Sequence, residues 1–401
     1  MCGIILFTMK IILFFQSTTR KSWRQKLDGI LRYAKGHDWF VQLVERFATA
    51  SDVRRALENW APAGCLVDRA MSNGRAPDSV FRGFPTVYLD QNPKMPSTEH
   101  PCLLHDSAST AALAVQELLA LGCRSYAYLG TGKGFNWDAP RLDRFKADAK
   151  RAGYSVAVLH RKSLVAALRS LPKPCGILGA NDYCAVEAYH AATKAGLSIP
   201  DDIAIAGIDN DETLCEMVSP GLTSVEPDFE GAGWRLGEML TEEIARIGTS
   251  RPASPFPKIE YYGPLRIVRR GSTSADRGQS LPVRHALEYV RRHGCERGIS
   301  IDAVAAAMGC SRSLATSRFR KETGRTILDE VHDVRFRNMC DLLSRSSLPV
   351  AMVVEKCGYE SDGFAKKMFL ARTGMTMREY RKCTCNPISG GVNASSSQCS
   401  P

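Results

Sequence analysis

Two segments near the C-terminus share a pattern that few folds accommodate. IDAVAAAMGC (301–310) aligns with VAMVVEKCGY (350–359), so that Ile301 matches Val350, Val304 matches Val353, Met308 matches Cys357 and Gly309 matches Gly358. The apolar positions fall on one face of a helix, and the glycine supplies the left-handed residue that turns the chain. After the turn come SRSLATSRFRKETG (311–324) and SDGFAKKMFLARTG (361–374). In each, serine stands eight residues before phenylalanine (Phe319, Phe369), and glycine follows that phenylalanine by five (Gly324, Gly374). Ser311 and Ser361 are expected N-caps. Each unit reads as a helix-turn-helix whose second helix offers a polar, basic face to a DNA major groove. A helical stretch over 326–343 joins the two units, so that two recognition helices could enter successive grooves. The competing possibility is a helical bundle whose basic faces are only solvated.

Charge bears on that choice. Residues 264–401 hold 23 Lys+Arg and 13 Asp+Glu, a net +10, out of +11 for the whole chain of 401 residues. The other 263 residues are almost neutral, with 30 basic and 29 acidic side chains. A basic domain attached to a neutral one is the footprint of a nucleic-acid binder, and together with the paired spacing it argues against mere solvation.

Residues 9–268 follow a different rule. Short apolar runs (10–15, 40–45, 64–68, 86–89, 125–129, 155–159, 176–179 and 203–208) alternate with amphipathic segments (21–34, 107–121, 141–152, 182–195 and 229–247). Strands apolar on both faces and separated by helices imply parallel sheets covered on both sides, an α/β architecture with ligands bound at the carboxyl ends of the strands. The polar stretch 269–280 is short of apolar anchors and reads as a linker. Residues 281–383 carry only helical periodicity, and 384–401 have the composition of a disordered tail.

The 14 cysteines are scattered, many within apolar runs, and read as free thiols; Cys383-Thr-Cys385 lacks the partners of a zinc site. No metal, cofactor or phosphate loop is called for; LGTGKGF (129–135) lacks the G-K-[ST] spacing. MCGIILFTMKIILFF lacks a charged leader and a small-residue cleavage site, so 10–15 is expected to be a buried strand rather than a signal peptide or membrane anchor. Either Met1 or Met9 could start the chain. MCGI resembles the opening of N-terminal-cysteine amidotransferases, but the parallel α/β pattern that follows does not suit that fold.

Residues 281–383 resemble the DNA-binding domain of AraC-type transcription regulators. The signature reads here as Gly358-Tyr359, Phe369, Gly374 and Glu379-Tyr380-Arg381, with Met377 where proline is usual. Ala315 and Ala365 stand four before each phenylalanine, where a larger residue usually packs. Leu314 and Phe364 are then expected to keep an apolar contact, with a slight roll of the helices. The resemblance implies that Arg312, Ser313, Thr316 and Ser317 face DNA in the first unit, and Asp362, Gly363, Phe364 and Lys367 in the second. Arg320, Lys321 and Lys366 suit phosphate contacts. Phe364 could meet a thymine methyl if it is not buried.

The stretch GILGANDYCAVEAYHAATKAGLSIPDDIAIAGIDND (176–211) resembles the ligand-binding core of LacI-type repressors and periplasmic sugar-binding proteins. The resemblance implies a two-lobed sensor over 9–268, with Asn181, Asp182 and Asp209 at strand ends as sugar ligands. Asn-Asp at a helix start can equally be an N-cap. Arg141 and Asp106 match family cleft and hinge positions. Trp137, and Trp23-Arg24 from the other lobe, are further candidates for the cleft.

A LacI-like sensor followed by an AraC-type domain is the arrangement of the xylose-operon activators. The expected function is therefore a cytoplasmic, sugar-responsive, DNA-binding transcription regulator, an activator with a pentose such as xylose as effector. It would act as a homodimer that engages RNA polymerase. The alternatives are a sugar receptor without gene control and an enzyme. No nucleophile with a placed base supports the latter.

Overall fold

The structure, a computed structural model, describes residues 9–16, 19–45, 49–70, 77–94, 97, 99–247, 258–274, 279–346 and 348–384. The readings made above for residues 1–8, including the MCGI motif and the alternative start, lie outside the described residues, as do those for 385–401.

The first lobe is a six-stranded sheet in the order β11-β5-β4-β3-β1-β2. It is formed by β1 (Lys10–Phe15), β2 (Trp39–Val44), β3 (Gly64–Asp68), β4 (Thr86–Leu89), β5 (Cys102–His105) and β11 (Ile259–Tyr262), all parallel. In β1, Ile12 and Phe14 enter one core while Leu13 and Phe15 enter the other, which is why the run is apolar without alternation. Helices α1 (Lys21–Lys35) and α2 (Ala50–Trp60) connect the first three strands. The start of α2 is set by a capping box between Thr49 and Asp52.

The second lobe has the order β12-β10-β9-β8-β6-β7. Its strands are β6 (Ser125–Leu129), β7 (Val156–Val158), β8 (Cys175–Gly179), β9 (Ile203–Ile208), β10 (Thr223–Pro227) and β12 (Pro264–Val268), with only β12 antiparallel to its neighbour. Helices α3 (Ser107–Ala120), α4 (Asp138–Arg151), α5 (Leu164–Ser170), α6 (Asp182–Lys194) and the short α7 (Glu212–Glu216) intervene. Helix α8 (Phe229–Ile247) leaves β10 but packs against α1 in the first lobe. There Gly29 and Gly233 let the two backbones touch: a Cβ on either would sit 2.0 Å from a carbonyl oxygen of the facing helix.

The chain therefore crosses between lobes three times, after β5, after β10 and after β11. The crossings are bonded to one another through Asp106 N–H to the Tyr262 carbonyl (2.8 Å) and Asp228 N–H to the Gly263 carbonyl (2.9 Å). Such a three-stranded hinge lets two lobes close on a ligand without breaking either sheet.

The polar stretch expected to be a linker behaves differently in its first half. Gly271, Ser272 and Thr273 are buried. The Ser272 hydroxyl donates to the Ile205 carbonyl (2.6 Å) and accepts from Thr223 N–H (2.8 Å). Hydroxyl groups, rather than apolar side chains, fasten this segment to the second lobe.

The described residues from 281 to 384 form α9 (Leu281–His293), α10 (Ile301–Ala307), α11 (Arg312–Thr323), α12 (Ile327–Arg345), α13 (Val350–Lys356), α14 (Asp362–Thr373) and α15 (Met377–Thr384). Two cores form, one around Phe319 with Val304, Met308 and Val331, the other around Phe369 with Val353, Cys357 and Leu343. Helix α12 contributes to both, its N-terminus fixed by the Thr326–Asp329 capping box. Helices α11 and α14 stop at Gly324 (φ 73°) and Gly374 (φ 70°), left-handed C-caps as expected. Ser311 caps α11 through its side chain, whereas Ser361 occupies the N-cap of α14 without that bond.

Candidate ligand cleft and nucleic-acid interface

The carboxyl ends of both sheets face a small cavity between the lobes. It is lined by Arg20, Trp23, Lys26, Asp90, His105, Phe135, Trp137, Arg141, Asp209, Phe229 and Tyr262, among others, and holds about 30 Å³. That is room for roughly one water.

Arg141 reaches the centre from α4 and is only 2% exposed. Its guanidinium donates to the Ala180 carbonyl, lies 3.4 Å from His105 Nδ1 and 4.0 Å from Asp209 Oδ1, and stacks over the Trp137 ring at 4.3 Å. Its Nε is buried without a hydrogen-bond partner. Asp209 leaves β9 with φ 111° and hydrogen-bonds back to Val225, so this non-glycine residue is held in a strained conformation at the cleft. Burial raises its carboxyl above the ordinary value, opposed by Arg141 and Arg20.

On the opposite wall, Asp90 takes a 2.5 Å ion pair from Lys26 and hydrogen bonds from the Tyr262 hydroxyl (3.0 Å) and His105 N–H (3.0 Å). Burial raises this carboxyl too. His105 stacks on Tyr262, and burial, with Arg141 and Lys26 close by, holds its pKa well below normal, so the imidazole is neutral. Arg20 reaches over the rings of Trp23, Phe135 and Tyr183 at 5.1–5.6 Å. The lobes are pinned shut by Asn136, whose side chain donates to the Arg69 carbonyl (2.9 Å), and by Lys21, which donates to the Asn210 carbonyl (2.7 Å).

Of the ligand residues expected from sequence, Trp23, Trp137, Arg141 and Asp209 line this cavity. The others do not. Arg24 points to solvent from the same helix turn. Asp106 caps α3 through Ser109 N–H (2.9 Å) and lines the neighbouring cavity beside Asp90 and Trp137. Asn181 is the N-cap of α6, accepting from Cys184 N–H (3.1 Å). Asp182 is turned beneath the β9–α7 loop, where it accepts from the Ser224 hydroxyl (2.5 Å) and Asp211 N–H (2.7 Å). Burial and the nearby Asp209 push its carboxyl up to about 8. Gly207 makes room for it, since a Cβ there would lie 2.2 Å from the carboxylate. A strand-end carboxylate can face a cleft or turn inward to loop amides, and here the loop that carries Asp209 captures it.

Arg20, Lys26, Asp90, His105, Phe135 and Tyr262 also line the cavity and are not among the residues expected from sequence. Asp90 was within reach, because it ends the strand TVYLD as Asp209 ends AIAGID.

From the cleft a polar path leads to the helical domain. Asn210, next to Asp209, accepts from Arg270 (3.0 Å) through its side-chain oxygen. Arg270 also holds the Leu222 carbonyl (2.9 Å). Gly221 N–H donates to Glu288 of α9, and Arg292 of α9 pairs with Glu216 of α7.

On the helical domain, Arg312, Ser313, Thr316, Ser317 and Arg320 together line one open groove along α11. Lys321 is exposed one position further. On α14, Asp362, Gly363, Phe364, Lys366 and Lys367 are all exposed, and Lys366 pairs with Asp362 (3.1 Å). The apolar contact expected of Leu314 and Phe364 is kept by Phe364, which touches His332 and Tyr359 while half exposed. Ala315 and Ala365 are fully buried, while Leu314 and Phe364 are 53% and 52% exposed. The small alanine lets α11 and α14 each sit close to its core, which leaves the preceding apolar residue outside. Arg312 pairs with Asp302 (3.0 Å).

No helix among the described residues is long and apolar enough to cross a membrane, and no described cluster of His, Cys, Asp or Glu could hold a metal.

Comparison with known proteins agrees with this division. Residues 115–273 match a periplasmic binding protein-like domain, and residues 304–383 match a helix-turn-helix domain. The chain is 23% identical over 380 residues to the xylose operon regulatory protein of Haemophilus influenzae, covering 89% of this chain and 94% of the relative. It is 24% identical over 379 residues to that of Escherichia coli, covering 89% and 93%. A solved structure of the xylose-binding transcription activator XylR superposes with a TM-score of 0.55 at 21% identity, over 94% of this chain and 99% of that one. The chain thus joins a periplasmic binding protein-like domain to a C-terminal helix-turn-helix domain, and most of its length is similar to xylose operon regulatory proteins.

Proposed function

We propose that this protein is a sugar-responsive transcription activator that binds a pentose, xylose as the first choice, between its lobes and operator DNA through α11 and α14. The observation that carries this is the buried Arg141 guanidinium, stacked on the Trp137 ring with the strand-end Asp209 4.0 Å away, in a hinged cleft of a chain that also holds two helix-turn-helix units. Carboxylate and guanidinium groups suit sugar hydroxyls, and an indole face suits the apolar side of a sugar ring.

The present cavity is too small for a pentose, so binding requires side chains or lobes to shift. Because Asp209 adjoins Asn210, and Asn210 holds Arg270, movement of this turn reaches α9 through Gly221, Glu288, Glu216 and Arg292. The sugar thereby changes the balance between arrangements of the DNA-binding domain.

Arg312, Ser313, Thr316 and Ser317, with Phe364 and Lys367, are assigned to base edges, and Arg320, Lys321 and Lys366 to phosphates. The protein works in the cytoplasm as a homodimer on repeated half-sites, contacts RNA polymerase, and binds its sugar without chemically altering it; the likeness of both domains to regulators supports these points. Band-shift titration of a pentose-operon promoter fragment, with and without D-xylose, tests the proposal. A sugar-dependent change in affinity or half-site occupancy is expected, and the same binding at all sugar concentrations would overturn it.

A further inference from the structure

The junction where the two helix-turn-helix units meet the sensor contains a pair of thiols that neither sugar nor DNA binding uses. Cys295, just past α9, packs against the first helical core, and Cys357, at the end of α13, is fully buried in the second. The two thiols are near enough to shift one another's ionisation. The Asn338 side-chain amide of α12 lies 2.9 Å from the Cys295 sulfur. Arg335, also on α12, clamps the backbone on either side by donating to the Gly294 carbonyl (2.6 Å) and the Glu296 carbonyl (3.0 Å). The two backbones also touch: Gly358 is pressed so close that a Cβ there would lie 2.4 Å from the Cys295 carbonyl oxygen. Cys295 is partly open to solvent, whereas Cys357 behind it is not.

We propose that Cys295 and Cys357 form a redox-sensitive pair, closed by a peroxide to an intramolecular disulfide that ties the turn of the second helix-turn-helix unit to the segment between α9 and α10. The Cys295 sulfur attacks one peroxide oxygen, the O–O bond breaks, and water leaves with a sulfenic acid formed. The Cys357 sulfur then attacks that sulfenic sulfur, gives up its proton and releases a second water. Two thiols lose two electrons and one peroxide gains them.

The setting favours the order of events. The contact with Cys357, the charge of Arg266 from β12, the Asn338 amide and Arg335 hold the Cys295 thiol down to about 7, while the same contact and burial push Cys357 up. Cys295 is the more open of the two residues, and the buried Cys357 is placed to resolve a sulfenic acid formed on it. The bond would act on the DNA-binding domain directly. Arg266, which helps activate Cys295, belongs to the strand whose Leu265 packs against the second helical core.

The test is peroxide titration of the full-length protein, followed by alkylation and peptide mass mapping. The expected product is a Cys295–Cys357 cross-link, lighter by two hydrogens, reversed by dithiothreitol and absent in Cys295→Ser. Cys357→Ala should leave Cys295 as a sulfenic acid that dimedone traps. This readout does not depend on the sugar or the operator. Both thiols remaining alkylatable while exposed Cys383 is oxidised would overturn the proposal. So would dimedone labelling of Cys295 in the wild-type protein without any cross-link.

Discussion

The two helix-turn-helix units share a frame and differ in their surroundings. Gly309 and Gly358 occupy the same turn with φ 68° and 77°, yet nothing lies within 4 Å of where a Cβ at Gly309 would stand, whereas Gly358 is wedged against Cys295 and Glu296. Their recognition helices also differ. Helix α11 offers Arg320 and Lys321 without a described ion-pair partner, while α14 sets Lys366 against Asp362. Repetition of a motif thus specifies a local shape, and neighbours decide its use: the turn of the first unit stands free, and that of the second is wedged against the segment that follows α9.

The largest test of the shared frame is deletion of its anchors. Phe319→Ala and Phe369→Ala should each destabilise their core by about 3–5 kcal/mol, read by urea melts of the intact protein. A cost below ~1 kcal/mol at either would mean that the two cores are not equivalent. Next comes the difference between the turns. Gly309→Ala should cost about 1–2 kcal/mol for left-handed strain alone, and Gly358→Ala roughly 3 kcal/mol, because overpacking is added. Equal costs would remove the wedge from the account.

Smaller effects separate the DNA faces. Arg320→Ala with Lys321→Ala should flatten the salt dependence of binding by nearly two phosphate contacts, each worth a slope of ~0.9. Lys366→Ala with Lys367→Ala should flatten it by closer to one, since Asp362 already offsets part of the Lys366 charge. A larger change from the second pair would reverse that assignment. Smallest of all, Leu314→Ala and Phe364→Ala should alter folding stability by less than ~1 kcal/mol, as half-exposed positions do, while Phe364→Ala weakens specific DNA binding. Loss of stability without loss of binding would make Phe364 a packing residue.

These contrasts also mark what the chain discloses without coordinates. The helix-turn-helix units are local, so their apolar spacing, glycine stops and charged faces all fall within about 25 residues of sequence and could be read directly. The α/β alternation was legible for the same reason. Strands β5, β10, β11 and β12 escaped; of these, β11 and β12 are half-exposed edge strands without a continuous apolar run. In the cleft, Asp209 was expected from a motif and Arg141 from a single family position, and both line the cavity. Asp90, by contrast, meets Lys26 across 64 residues and Tyr262 across 172. No periodicity records such distances. Asp182 shows the reverse case, a residue whose position in the motif was read correctly but whose side chain answers to the loop amide of Asp211.

The central claim is that the cleft holds a sugar and reports it to DNA. It is tested most directly by a thermal-shift titration of the intact protein and of Asp209→Ala with D-xylose, other pentoses and hexoses, alongside operator binding without sugar. A ligand at about 100 times its dissociation constant should stabilise the wild-type protein by roughly 2.7 kcal/mol. The account predicts that one pentose raises the melting temperature of the wild-type protein, that Asp209→Ala abolishes the shift, and that basal operator binding survives. An undiminished shift in Asp209→Ala, or no shift with any sugar, would contradict it.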